Sequence, residues 1–151
     1  MKKFLLSVLL ILPSVVTAKE LPPPNEAVER LDLSGITLSD KWESVGDSLK
    51  QNVKNGVIIV SASSVSSMIE ISSDDDKVMD SFAYANMHCA GSSLIAIDMA
   101  QNKTLLNNML ESFTAAIKAY DNETNTMVWG YNFKTKLLKT DLGLIATCTL
   151  Q

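Results

Sequence analysis

From Val78 to Tyr120 the apolar residues return every three or four positions, and this repeat constrains the chain more than any other feature. Val78, Phe82, Ala85, Cys89, Ser93, Ala96, Ile97 and Ala100 make a first stripe. After a break at Asn102–Thr104, Leu105, Leu106, Met109, Leu110, Phe113, Ala116, Ile117 and Tyr120 make a second. A repeat of this period puts one apolar face on each of two helices. Two helices joined by so short a turn pack antiparallel. The preceding cluster Ser72-Ser73-Asp74-Asp75-Asp76 supplies side-chain oxygens for the free amides of a helix start, and its charge suits the positive end of the helix dipole. The small residues Ala83, Ala90, Gly91 and Ser92 let a neighbouring helix approach closely.

On the amino-terminal side, Pro22-Pro23-Pro24 favours an extended, solvated leader over residues 19–25. Ala27, Val28, Leu31 and Leu33 fit one short helix over Glu26–Ser34, interrupted by Gly35. Trp42, Val45, Leu49, Val53, Val57, Val60, Ser64, Met68 and Ile71 again step by three and four, which favours a helix. The β-branched run Val57-Ile58-Ile59-Val60, bounded by Gly56 and the Ser61–Ser67 cluster, offers a buried strand turning into Met68–Ile71 as the alternative, but the longer register decides for the helix. In the tail, Leu137, Leu138, Leu142, Ile145 and Cys148 predict a last helix, whereas Trp129-Gly130-Tyr131-Asn132-Phe133 reads as a strand or extended crossover. The expected fold class is therefore all-α. It is a small helical bundle closed by one disulfide, a single domain over 26–151, with a short strand at 57–60 or 129–133 as the alternative.

Residues 1–18 have the form of a cleaved secretory signal: Lys2-Lys3, an apolar run from Phe4 to Leu12, Pro13, and small residues up to Ala18. The run is too short to span a bilayer, and no Cys follows it to carry a lipid. The expected place of work is the periplasm of a Gram-negative cell, or otherwise the medium, with no membrane insertion after cleavage. In such an oxidising compartment the pair Cys89 and Cys148 is expected to form a disulfide.

Two of the thirteen basic residues lie in the expected signal over 1–18, so the remainder carries eleven basic against seventeen acidic residues, a net of about −6. That balance repels phosphate backbones, which excludes nucleic acid as a partner and favours a cationic protein. His88, the only histidine, and Cys89 point about 100° apart on a helix, so they do not share a metal ion. Asp74-Asp75-Asp76 lacks the alternate spacing and glycine of a calcium loop. No phosphate loop, nucleophile elbow or zinc-binding helix occurs. The expectation is a non-enzymatic protein without cofactor or metal. Its candidate partner-binding residues are the carboxylates Asp74, Asp75 and Asp76 and the aromatics Trp129 and Tyr131.

The layout of leader, helical periodicity, one Cys in Tyr84-Ala85-Asn86-Met87-His88-Cys89-Ala90-Gly91 and one near the carboxyl end resembles small periplasmic proteins. It is most similar to the helical immunity proteins that protect against type VI secreted cell-wall amidases, and less so to acid-stress chaperones with one disulfide. The resemblance implies a protein that binds a cognate toxin, occludes its active-site cleft, and does so as a monomer or a homodimer. A periplasmic chaperone or envelope-stress factor is the alternative.

Overall fold

A computed structural model describes residues 19–74, 76–141 and 143–151. The signal expected over residues 1–18, the carboxylate Asp75 and Leu142 lie outside the described residues.

The chain begins with α1 (Pro24–Leu33), continues through a four-stranded meander, β1 (Glu43–Val45), β2 (Ser48–Val53), β3 (Gly56–Val60) and β4 (Val65–Ile71), and crosses two helices, α2 (Val78–Ala96) and α3 (Lys103–Lys118). It ends in a second meander, β5 (Thr124–Val128), β6 (Tyr131–Thr140) and β7 (Gly143–Leu150). All seven strands form one antiparallel sheet in the order β1-β2-β3-β4-β7-β6-β5. The last strand returns to pair with β4, Ser67 opposite Cys148 and Ile69 opposite Ala146, and this pairing joins the two meanders.

The all-α expectation is thus overturned, and with it the helical domain over 26–151. α1, α2 and α3 stand close to their expected positions. The supposed helix over 42–71 is four strands, and the supposed last helix is β6 and β7. Two-residue turns decide the first of these. Gly46 at φ 60° opens the β1–β2 turn and Asn55 at φ 59° sits in the β2–β3 turn, conformations that a helix interior does not contain. In the tail, Tyr131, Phe133, Thr135 and Leu137 are buried alternately, as are Ala146, Cys148 and Leu150. Period two is a strand's period, and every second side chain faces the core.

That core lies on one face of the sheet. α2 and α3 cover β4, β7, β6 and β5, burying Ile69, Ile71, Leu94, Met109, Phe113, Phe133 and Leu137. α1 places Ala27 and Leu31 on a smaller cluster with Ile58, Val60 and Val65. Arg30 of α1 donates to the Ala96 carbonyl at 2.8 Å, so a cation meets the negative end of α2. The helix-facing row Ser67, Cys148, Thr135 is made of small residues, and hydroxyls answer it from above. Ser92 bonds Ser67 at 2.8 Å and Ser112 bonds Thr135 at 3.4 Å. Of the small residues of α2, Ser92 thus meets the sheet and Ala90 is buried in the core, whereas Ala83 is exposed and a Cβ at Gly91 would meet no neighbour.

Asn102 caps α3, its side chain accepting from the Leu105 amide at 3.1 Å. The start of α2 has no such cap: Lys77 precedes it with no side-chain capping bond. Asp74 instead makes an ion pair with Lys77 at 3.1 Å, and its carbonyl accepts the Lys77 amide in a turn before the helix. The leader is not wholly solvated either. α1 starts at Pro24, where a missing amide donor costs nothing, and Leu21 packs on the main core.

Candidate functional site

The Cys89–Cys148 disulfide is present, tying the middle of α2 to β7 with both residues buried. It is compatible with an oxidising, exported compartment. Among the described residues no helix is long and apolar enough to cross a membrane.

The expected partner-binding residues do not come together. Asp74 and Asp76 are exposed in the loop before α2, with Asp74 already paired to Lys77. Trp129 and Tyr131 lie at the β5–β6 hairpin, far along the sequence and on a different element. Tyr131 is buried at 3% exposure, so it is a core residue rather than a partner anchor. Its hydroxyl donates to the Glu20 carbonyl at 3.2 Å. Trp129 is half exposed and adopts φ 53°, followed by Gly130 at φ 87°. A bulky residue in the left-handed region is uncommon, and the turn that demands it usually carries Asn there. The ring is occupied by the chain itself: the Lys19 ammonium lies 2.9 Å from its centroid, and the Lys19 amide donates to the Gly130 carbonyl at 3.0 Å.

The opposite face of the sheet carries a surface that the sequence reading did not identify. The register puts Lys50, Ile59, Ser66, Thr149 and Lys134 in one row across β2, β3, β4, β7 and β6. The next row is Asn52, Val57, Met68, Thr147 and Lys136, and a shorter one is Glu70, Ile145 and Leu138. Among the described residues no element packs on this face: Met68 is 44% exposed and its neighbours are half-buried. Antiparallel sheets with one solvated face alternate apolar with polar side chains. Here five apolar residues, Val57, Ile59, Met68, Ile145 and Leu138, sit where polar ones are the rule, and together they form an island.

Lysines flank the island, Lys50 on the β2 side and Lys134 with Lys136 on the β6 side. Lys134 holds Glu123 at 3.6 Å, while among the described residues Lys50 and Lys136 have no carboxylate within ion-pairing distance. Glu70 closes one end and Glu43 lies on the edge strand opposite Lys50. The acidity of the chain as a whole is therefore not the character of this face. A signal for it exists in the sequence. Val57-Ile58-Ile59-Val60 is apolar at four consecutive positions, so as a strand it puts apolar side chains on both faces.

A second feature lies at the helix side of the sheet. The loop 34–38, the end of β2 with its turn, and the middle of α2 enclose a cleft of about 470 Å³. His88 lines it, 9% exposed, stacked on Tyr84 with ring centroids 4.1 Å apart. Burial pushes the His88 imidazole below its ordinary pKa and the Tyr84 hydroxyl above its own. Gln51 fixes the loop, its side-chain amide donating to the Leu38 carbonyl at 2.8 Å and accepting the Leu38 amide at 2.7 Å. Among the described residues no group of three His, Cys, Asp or Glu side chains converges to hold a metal ion.

No protein-family model matches the chain, nor does any curated protein or solved structure.

Proposed function

We propose that this chain is an exported binding protein that holds a protein partner on the open face of its sheet. The observation that carries the reading is the apolar island of Val57, Ile59, Met68, Ile145 and Leu138, placed on a solvent-facing surface. An exposed apolar cluster with a polar rim is the composition of an interface core.

Charge selects the partner. A second copy stacked face to face by a two-fold axis along the strands would set Lys50 against Lys134 and Lys136. An axis across the strands would set Lys134 against Lys136. Either arrangement brings like charges together at an interface, which costs affinity. The face suits a protein with an apolar centre and carboxylates on both sides of it. Helical periodicity was one ground for the likeness to immunity proteins, and the sheet removes it; the leader and the cysteine pair are what still support that role. Immunity in this reading is the special case in which the acidic-flanked partner is a toxin.

The test is a photo-crosslinking residue placed at Thr147, in the middle of the face, in tagged protein expressed in its own periplasm. The expected product is a single heterologous adduct that is lost with Met68→Glu and weakened by salt. Adducts only with a second copy of the chain, recovery only with anionic vesicles, or no adduct would each overturn the proposal.

A further inference from the structure

We infer that the cleft over His88 is a binding site for a carboxylate carried on a small apolar body. This site is on the helix side of the sheet and independent of the open face.

The first ground is the character of the lining. Among the described residues that wall the cleft, Lys54, Tyr84 and His88 are polar donors, Ile36 and Val53 are apolar, and no Asp or Glu takes part. This is unusual for a chain with seventeen acidic residues. Four other clefts among the described residues each include a carboxylate: Asp141, Glu70, Asp80, or Glu29 with Asp32. A concave, partly apolar site of a few hundred Å³ with a few convergent polar groups is the ordinary form of a small-ligand pocket.

The second ground is the state of those donors. Among the described residues Lys54 has no carboxylate within ion-pairing distance, and its ammonium lies 5.8 Å from the centroid of the Tyr84 ring. Tyr84 in turn stacks on His88, so cation, phenol and imidazole follow one another along one wall. The His88 Nδ1 atom is sealed from solvent and has no hydrogen-bond partner among the described residues. A buried N–H without an acceptor costs more than a lone pair without a donor, so the resting imidazole carries its proton on Nε2. With Nδ1 enclosed in the protein, the Nε2 edge is the one left to the cleft. An N–H donor there, beside an unpaired ammonium and a phenol, forms a set that an anionic oxygen pair satisfies and that a cation does not.

Size and wall chemistry limit the anion. About 470 Å³ exceeds what a bare inorganic ion fills, and Ile36 and Val53 favour a hydrocarbon body behind the charge. A free organic acid and the carboxyl end of a peptide share this chemistry.

The chain's single histidine makes the test specific, because only the His88 ring gives an imidazole Hε1–Cε1 cross-peak. The oxidised protein spanning 19–151 is titrated at neutral pH with hexanoate, with hexanamide, and with N-acetyl-Ala-Leu as free acid and as amide. Both carboxylates are expected to move the His88 peak saturably, with dissociation constants below about 10 mM, and both amides to leave it in place. Lys54→Met, at an exposed position, should weaken the carboxylates about tenfold. Tighter binding of the peptide acid would assign the site to chain ends, and equal or tighter binding of hexanoate to free acids. No saturable shift up to about 50 mM, equal shifts from the amides, or an unchanged affinity in Lys54→Met would each overturn the inference.

Discussion

Reducing the disulfide should cost this protein about 4 kcal/mol. The bond joins residues 59 apart, one on α2 and one on β7. In the chain-entropy model a loop of that length removes about 14 cal/mol/K from the unfolded ensemble, which is about 4 kcal/mol at 25 °C. Native contacts of the two sulfurs add to this, since Cys89 and Cys148 are buried between α2 and the sheet. A domain of this size has a total stability of about 5–15 kcal/mol, so reduction should remove a large share of it. The assay is urea unfolding followed by tryptophan fluorescence and far-ultraviolet dichroism, for the oxidised protein and for Cys89→Ala/Cys148→Ala. The variant should unfold with a free energy lower by about 4 kcal/mol and a midpoint temperature lower by about 15 °C. Two curves within about 1 kcal/mol of each other would refute the reasoning, because the bond would then restrict nothing that the sheet does not already restrict.

Other substitutions test the remaining parts of the fold. Phe133, fully buried on β6, should cost about 3–5 kcal/mol as Phe133→Ala in the same unfolding assay. A Cβ at Gly56 would meet the Met68 carbonyl oxygen of the neighbouring strand, so Gly56→Ala should cost about 1–3 kcal/mol; a neutral result would contradict the β3–β4 register. The His88 pKa is lower in the folded than in the unfolded chain, so the unfolded chain binds the proton first. Stability should therefore fall as pH drops below about 6.5 until the folded group also titrates. His88→Gln should flatten that part of the profile, and parallel profiles would remove His88 as the cause. Met68→Glu, on the open face, should leave the unfolding free energy within about 1 kcal/mol of the parent while abolishing capture of the partner.

The helices were legible because each signals itself locally. Asn102 ends one stripe and caps the next, and the predicted starts near Val78 and Leu105 lie within two residues of the observed ones. The sheet was harder to read for a physical reason. Over 42–71, residues such as Val53, Val57, Val60 and Met68 step by three and four, yet they lie on different strands and opposite faces of the sheet. The local signals against a helix were present: Asn55-Gly56 between apolar runs is a strong hairpin pair, and Gly46-Asp47 marks another turn about nine residues earlier. In the tail, a helical reading through Leu137, Leu138, Ile145 and Cys148 mixes both faces, while the true core positions alternate. The candidate surface inherits this difficulty. Ile59, Met68 and Ile145 come together only through the pairing of β3, β4 and β7, which no local pattern specifies. The candidate carboxylates and aromatics, by contrast, stand out in sequence. In the structure Asp74 and Trp129 are engaged by Lys77 and Lys19, and Tyr131 is in the core.

The most direct test of the open face as the working surface is an amide footprint of the complex with the partner recovered by crosslinking. Protection or line broadening should centre on Lys50, Ile59, Met68, Thr147 and Lys136 and spare the outer sides of α2 and α3. A footprint on those helices, or on the loop at Asp74 and Asp76, would contradict it.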